Sequence, residues 1–124
     1  MILIDTNIFV DHLRGYQPAI KFFESLYQAE NVIFSAITEA ELMAGKDCEN
    51  SKKKELTLHF LHRWNKVVVS NQIAIMAGDI KRDFGLEMPD AIIAATAKIN
   101  NAELLSKNTK DFKRVPYLKV KSPY

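Results

Sequence analysis

Residues 1–10 read MILIDTNIFV, and the fifth of them decides how the rest of the chain is read. Met1 to Ile4 is an apolar run that fits a strand covered on both faces. Asp5 follows at once, then Thr6 and Asn7. Aspartate suits the position before a helix, where its carboxylate accepts from unpaired backbone N–H groups, so a helix cap is the plain structural explanation. Thr6 and Asn7 cap as well, however, and three cap-competent residues in a row exceed what one helix needs. A carboxylate closing a core strand therefore calls for a second use.

Further runs of the same kind follow. Val32–Phe34, Val67–Val69 and Leu104–Leu105 read as short buried strands, and Tyr117–Val120 as a fifth, at an edge. Helical patterns lie between them. Asn7 to Leu13 is stopped by Gly15, and "PAIKFFESLYQA" opens on Pro18 with Ile20, Phe23, Leu26 and Tyr27 on one side. "ITEAELMAG" ends at Gly45, and "KKKELTLHFLHRWN" puts Leu56, Phe60, Leu61 and Trp64 on one face. "SNQIAIMAGDIKRDFG" closes near Gly85, and "PDAIIAATAKIN" starts from Pro89. Strands alternating with helices imply parallel pairing and right-handed crossovers, hence an α/β fold: three α/β/α layers around a short, mainly parallel central sheet. Ligands of such sheets gather at the carboxyl ends of the strands.

At 124 residues, with 48% hydrophobic and 26% charged side chains and only 4 Gly and 4 Pro, the chain fits one globular domain over residues 1–124 rather than a disordered or fibrous class. Seventeen Lys and Arg against fifteen Asp and Glu leave a formal charge of +2, too small to demand a polyanionic partner. The distribution says more. Lys52, Lys53 and Lys54 form one cluster, and from Lys107 onward Lys110, Lys113, Arg114, Lys119 and Lys121 accompany Asp111 as the only acid. That stretch reads either as a phosphate-facing surface or as a solvated basic tail. Cys48 is alone, which excludes an intrachain disulfide, and no signal segment or membrane-length apolar run is visible. A reducing cytoplasm and no membrane are the expectation.

Four acidic positions fall after strands or at helix starts. Asp5 is the first. Glu39 and Glu41 lie about 200° apart on one helix, so only one can look toward the protein. Glu41 shares its face with Ile37 and Ala44 and is expected to turn inward beside a cation, while Glu39 faces water. Asp90 sits just inside the Pro89 helix start, where the dipole favours a negative charge, and Ala91, Ala94, Ala95 and Ala97 behind it allow close packing. Asn108 and Asp111 follow the fourth strand in "LLSKNTKDF", a segment that turn formation also explains. Convergent carboxylates repel unless a cation neutralises them, and Mg²⁺ or Mn²⁺ suits an all-oxygen donor set. Zinc does not: His59 and His62 share a helix face, but Cys48 is the only thiol and no familiar ligand spacing exists. Gly-rich phosphate-cradling loops are absent as well.

Taken in order, "ILIDTNIFVDHLRG", "FSAITEAELMAG", "MPDAIIAATA" and "LLSKNTKDF" resemble the PIN domain, and within it the small VapC-type toxins of bacterial toxin–antitoxin pairs. The resemblance spans nearly the whole chain. It implies a Mg²⁺- or Mn²⁺-dependent endoribonuclease, cytoplasmic and homodimeric, acting on structured or single-stranded RNA and silenced by a cognate VapB-like antitoxin. Mapped by motif, the family's acids fall on Asp5, Glu41 and Asp90, with Thr6 and Asn7 as the polar pair after the first. The fourth motif departs from the family pattern: Ser106, Lys107 and Asn108 stand where a Thr and a final Asp or Asn are usual, and Asp111 is the nearest further acid. On this reading Asp5 and Asp90 ligate the ion and Glu41 orients or deprotonates water, with Asn108 and Asp111 as further members of the site. Lys107 and Lys110 reach RNA phosphates, and the helices carrying Phe22, Phe23 and Tyr27 or Leu56, Phe60 and Trp64 offer an apolar groove to the antitoxin.

Two other classes compete. A catalytically inert PIN-like module would bind RNA or protein without cutting. A phosphorylation-dependent receiver domain is similarly short and acidic at its strand ends, but it needs an aspartate after the third strand, where this chain has Ser70, Asn71 and Gln72.

Overall fold

The computed structural model describes residues 1–124. Five strands, β1 (Ile2–Ile4), β2 (Val32–Ser35), β3 (Asn65–Val67), β4 (Glu103–Leu105) and β5 (Val120–Lys121), form one sheet in the order β3-β2-β1-β4-β5. Every pairing is parallel. Seven helices connect them: α1 (Thr6–Leu13), α2 (Gln17–Ser25), α3 (Ala36–Met43), α4 (Ser51–Leu61), α5 (Asn71–Phe84), α6 (Met88–Ile99) and the single turn α7 (Thr109–Phe112).

Alternation along the strands produces the layers. Leu3, Ile33 and Leu104 face one core, which α5 and α6 complete with Ile73, Ile80 and Ile93. Ile4, Val32 and Phe34 face a second, filled by Phe9 of α1, Phe23 of α2 and Leu61 of α4. The α/β/α expectation holds. Ala91, Ala94, Ala95 and Ala97 are wholly buried, so α6 packs hard against its neighbours and carries its N-terminus in close to the sheet. The helix before it, α5, stops at Gly85, which adopts φ 73°, a left-handed conformation that glycine takes without strain.

Three expectations shift. The third strand comes two residues earlier than Val67–Val69, because register with β2 pairs Ile33 with Asn65 and Ser35 with Val67. Val68 and Val69 then emerge beyond the sheet edge and are exposed. The fifth strand is Val120–Lys121 rather than Tyr117–Val120; Tyr117 sits at φ 63° in a turn and points wholly into solvent. On α4, Leu61 and Trp64 are buried as expected and Phe60 packs against them, but Leu56 is exposed and Thr57 takes the inward position in its place.

Candidate functional site

The strand order creates the site. From β1 the chain moves to β2 and β3 on one side, then crosses back through α5 and α6 to β4 on the other, leaving a switch point between β1 and β4. Asp5 and Ser106 are the first residues past those two strands, and the Asp5 amide still donates to the Leu105 carbonyl at 3.0 Å. Alternation sends both side chains to the side of Leu3 and Leu104, where α6 lies.

One hydrogen-bonded chain then joins three acids from three elements. Asp5 Oδ1 accepts from the Thr6 amide at 2.8 Å, the helix-cap contact, and Oδ2 accepts from the Ser106 hydroxyl at 2.6 Å. Ser106 Oγ accepts from the Asn108 amide at 2.9 Å, and Asn108 Nδ2 donates to Asp90 Oδ2 at 3.4 Å. On the other side Thr6 Oγ1 donates to Glu41 Oε1 at 2.8 Å and lies 2.9 Å from Thr38 Oγ1. Asp5 is thus both a cap and the centre of a polar network.

The charges in this network are under stress. Burial pushes the Asp5 carboxyl up to about 6, with the charges of Asp90 and Glu41 adding to the rise and the Ser106 and Thr6 hydrogen bonds opposing it. Asp90 is raised too, by burial first and then by Glu41, Asp111 and Glu87, with Arg114 as the opposing cation. Arg114 is itself engaged by Asp111 at 3.2 Å. All donors here are hard oxygens. Cys48 donates to the Leu42 carbonyl, His62 pairs with Glu39, and His12 is stacked on Phe60, so neither thiol nor imidazole joins the cluster. No three of the His, Cys, Asp and Glu side chains stand close enough together to enclose a metal ion.

The two glutamates of α3 exchange their expected surroundings. Glu41 is exposed and its partner is the Thr6 hydroxyl, whereas the cations sit on Glu39, which bonds His62 at 2.7 Å and Lys66 at 3.1 Å. A short helix turned by its Ser35 cap brings Glu41 to the strand edge and swings Glu39 over α4 and β3. Asn7 reaches the site rim, where Oδ1 accepts from the Lys107 amide at 3.5 Å. Lys110 lies exposed on α7, while the Lys107 ammonium is folded onto Tyr124. Of the expected groove residues, Phe23 and Trp64 belong to the core, and Leu56 lines a separate cleft of about 600 Å³ with Val10, Leu13, Leu42 and Lys53, at whose edge Glu41 stands.

Ser106 is a member of the site beyond the expected acids. Wholly buried, it holds Asp5 from the neighbouring strand. The signal was present, because Ser106 ends β4 as Asp5 ends β1: the first polar residue after an apolar strand. Thr38, which steadies Thr6, gave none, since a threonine in the first turn of a helix is unremarkable.

The PIN domain family model matches residues 2–118. Ribonuclease VapC19 of Mycobacterium tuberculosis is 34% identical, over 95% of this chain and 97% of that protein. A toxin-antitoxin complex from Klebsiella pneumoniae superposes with a TM-score of 0.85 at 33% identity, over 100% of this chain and 98% of that one. VapBC2 from Rickettsia felis, bound to a DNA fragment from its promoter, gives a TM-score of 0.81 at 27% identity, covering 98% of each chain. The matched residues run from β1 past α7 to just before β5, with the whole switch-point network inside them: the chain belongs to the PIN domain family.

Proposed function

We propose that this protein is a VapC-like toxin, an endoribonuclease that hydrolyses RNA phosphodiester bonds with Mg²⁺ or Mn²⁺ and is inhibited by a VapB-like antitoxin. The observation that carries the reading is the continuous hydrogen-bonded chain Glu41–Thr6–Asp5–Ser106–Asn108–Asp90 at the switch point. Burying Asp5 beside two other acids costs free energy that a purely structural cap would avoid. The all-oxygen donors and the mutual repulsion of Asp5 and Asp90 fit a hard divalent cation, and these two residues would hold it. Bound there, such an ion supplies Lewis-acid polarisation of a phosphoryl oxygen and a water of lowered pKa.

The chain's own residues supply the rest. Ser106 fixes the Asp5 carboxylate from behind and keeps it ionised near neutral pH. Asn108 steadies Asp90, taking the place of a fourth acid. Glu41, exposed and held by the Thr6 hydroxyl, accepts the proton of the attacking water. Asn7 tethers the Lys107 backbone at the rim, and Lys107 and Lys110 contact phosphates. Asp111 acts from a distance through its field on Asp90. The exposed apolar side chains of Leu13 and Leu56 in the cleft beside Glu41 offer seating for an amphipathic antitoxin helix. We place the protein in the cytoplasm as a homodimer of single-domain chains; no helix is long and apolar enough to cross a membrane.

A mixed RNA pool incubated with Mg²⁺ or Mn²⁺, with and without EDTA, tests the reading. Cleavage that EDTA abolishes and that Asp5→Asn lowers by orders of magnitude is expected. RNA binding without cutting returns the inert module, and cutting of DNA alone replaces the substrate class.

A further inference from the structure

The carboxyl edge of the sheet carries a second assembly that the acids do not use. β5 ends beside β4, where the Ser106 amide donates to the Lys121 carbonyl at 3.0 Å. Ser122, Pro123 and Tyr124 then pass over the end of β4 to α1, where the Tyr124 hydroxyl donates to Asp11 Oδ2 at 2.6 Å. Burial and the Asp11 carboxylate both raise the Tyr124 phenol far above its ordinary value, so it stays a donor at every working pH. Its ring lies against Tyr16 and Phe22, with centroids 5.8 and 6.3 Å away. Onto this fixed residue folds Lys107: its ammonium stands 4.8 Å from the Tyr124 ring centroid and donates to the Tyr124 main-chain oxygen. Lys107 is the residue next to Ser106, the partner of Asp5, and its own amide meets Asn7.

We propose that Tyr124, clasped by Asp11, is a positioning residue that holds the Lys107 ammonium ready at the rim of the acid cluster for a backbone phosphate of the substrate strand. The proposal rests on the ribonuclease reading above. A free lysine has many rotamers to lose when it meets a phosphate, and a lysine already laid on an aromatic face loses few. An ammonium has three N–H donors and Tyr124 takes one, leaving two for a phosphate. Lys107 forms no ion pair with any of the acids, so its charge is left for the substrate. A chain that used Lys107 only for solubility would leave it loose in water.

The test is a double-mutant cycle on RNA binding, in the full chain carrying Asp5→Asn so that the probe stays intact. A fluorescently labelled single-stranded RNA of mixed sequence is titrated at several salt concentrations. Lys107→Ala is expected to raise Kd and flatten the salt dependence by about 0.7, the slope of one phosphate contact on a single strand. Tyr124→Leu is expected to raise Kd about three- to tenfold, the effect of freeing one side chain. Combined with Lys107→Ala it adds nothing, because Tyr124 acts through Lys107. Additive losses, or an unchanged Kd in either single variant, overturn the proposal. Should Tyr124→Leu not fold, Tyr124→Phe, which keeps the ring and removes only the clasp to Asp11, takes its place in the cycle and is judged the same way. RNA binding by no form of the protein is a distinct result, since it sinks the ribonuclease reading and this proposal with it.

Discussion

Replacing Asp5 by Asn is expected to make the metal-free protein more stable while destroying its activity. Asp5 is 4% exposed and its carboxyl titrates near 6 in the fold, against 3.8 ordinarily. The sign follows from proton counts. Below pH ~4 both folded and unfolded chains hold the proton, and ionisation costs nothing. As pH rises from about 4 to about 6 the unfolded chain releases it first, so stability falls across that window and stays low above it. The span from 3.8 to about 6, at about 1.4 kcal/mol per pH unit, makes the cost roughly 3 kcal/mol at pH 7. Asparagine cannot ionise, keeps the Thr6 cap through its carbonyl, and loses the Ser106 hydrogen bond, worth about 1 kcal/mol. The net gain is about 2 kcal/mol, or roughly 6 to 10 °C in Tm for a chain of this size. Thermal melts followed by circular dichroism in EDTA, for both proteins from pH 3.5 to 8, measure it. The variant is expected to be slightly the weaker at pH 3.5 and clearly the stronger at pH 7. A difference that stays flat between pH 4 and 6, or a variant weaker at neutral pH, would falsify the claim that Asp5 is a strained charge.

Adding Mg²⁺ should raise the Tm of the parent protein in proportion to the logarithm of its concentration and leave Asp5→Asn unmoved; equal shifts in both place the ion elsewhere. Ser106→Ala strips the buried donor from Asp5 and the acceptor from the Asn108 amide. A stability loss of about 1 to 3 kcal/mol at pH 7 is expected, with the acid limb of the cleavage profile moving to higher pH, and Ser106→Thr should restore both. Asp111→Asn should cost far less cleavage than Asp90→Asn, because Asp111 is spoken for by Arg114; comparable losses would make it a direct participant. His12→Phe removes a buried ring nitrogen that has no partner and keeps the stack on Phe60. Burial lowers the His12 pKa, so the unfolded chain takes up its proton first and the parent weakens as pH falls below about 6.5. The variant should lose that dependence in urea titrations.

Much of this could be read from periodicity. Short apolar runs such as Ile2–Ile4 and Leu104–Leu105 have one use in a chain rich in amphipathic helices, and the layers follow from their alternation. Asp5 and Asp90 were legible for a similar reason: each is a charge at the end of an element that must otherwise be buried. What the sequence hid lies at edges. A strand with one neighbour is placed by register, so β3 took Asn65–Val67 and released the more apolar Val68 and Val69. The orientation of α3 depends on its Ser35 cap and on packing across to α1 and α4, which no wheel drawn on α3 alone contains, so the cations expected beside Glu41 stand on Glu39 instead.

The misread pair also shows how the site is insulated. Two residues apart on one helix, Glu39 meets His62 and Lys66, and Glu41 meets only a hydroxyl. Had the cations fallen on Glu41, its charge would be neutralised and it would make a poor proton acceptor. On Glu39 they hold α3 against α4 and β3, which fixes where Glu41 stands without touching its charge. Arg114, the cation that acts on Asp90, is shared with Asp111. No ion pair reaches Asp5, Glu41 or Asp90, and the switch point keeps a negative potential. Such a potential suits an arriving divalent ion and opposes, without abolishing, the hold of basic residues on phosphates. An ion bound there lifts that penalty, so on the ribonuclease reading the RNA affinity of the parent protein should rise with Mg²⁺ at concentrations too low to alter the RNA itself, while Asp5→Asn, with one charge fewer, binds RNA without needing the ion.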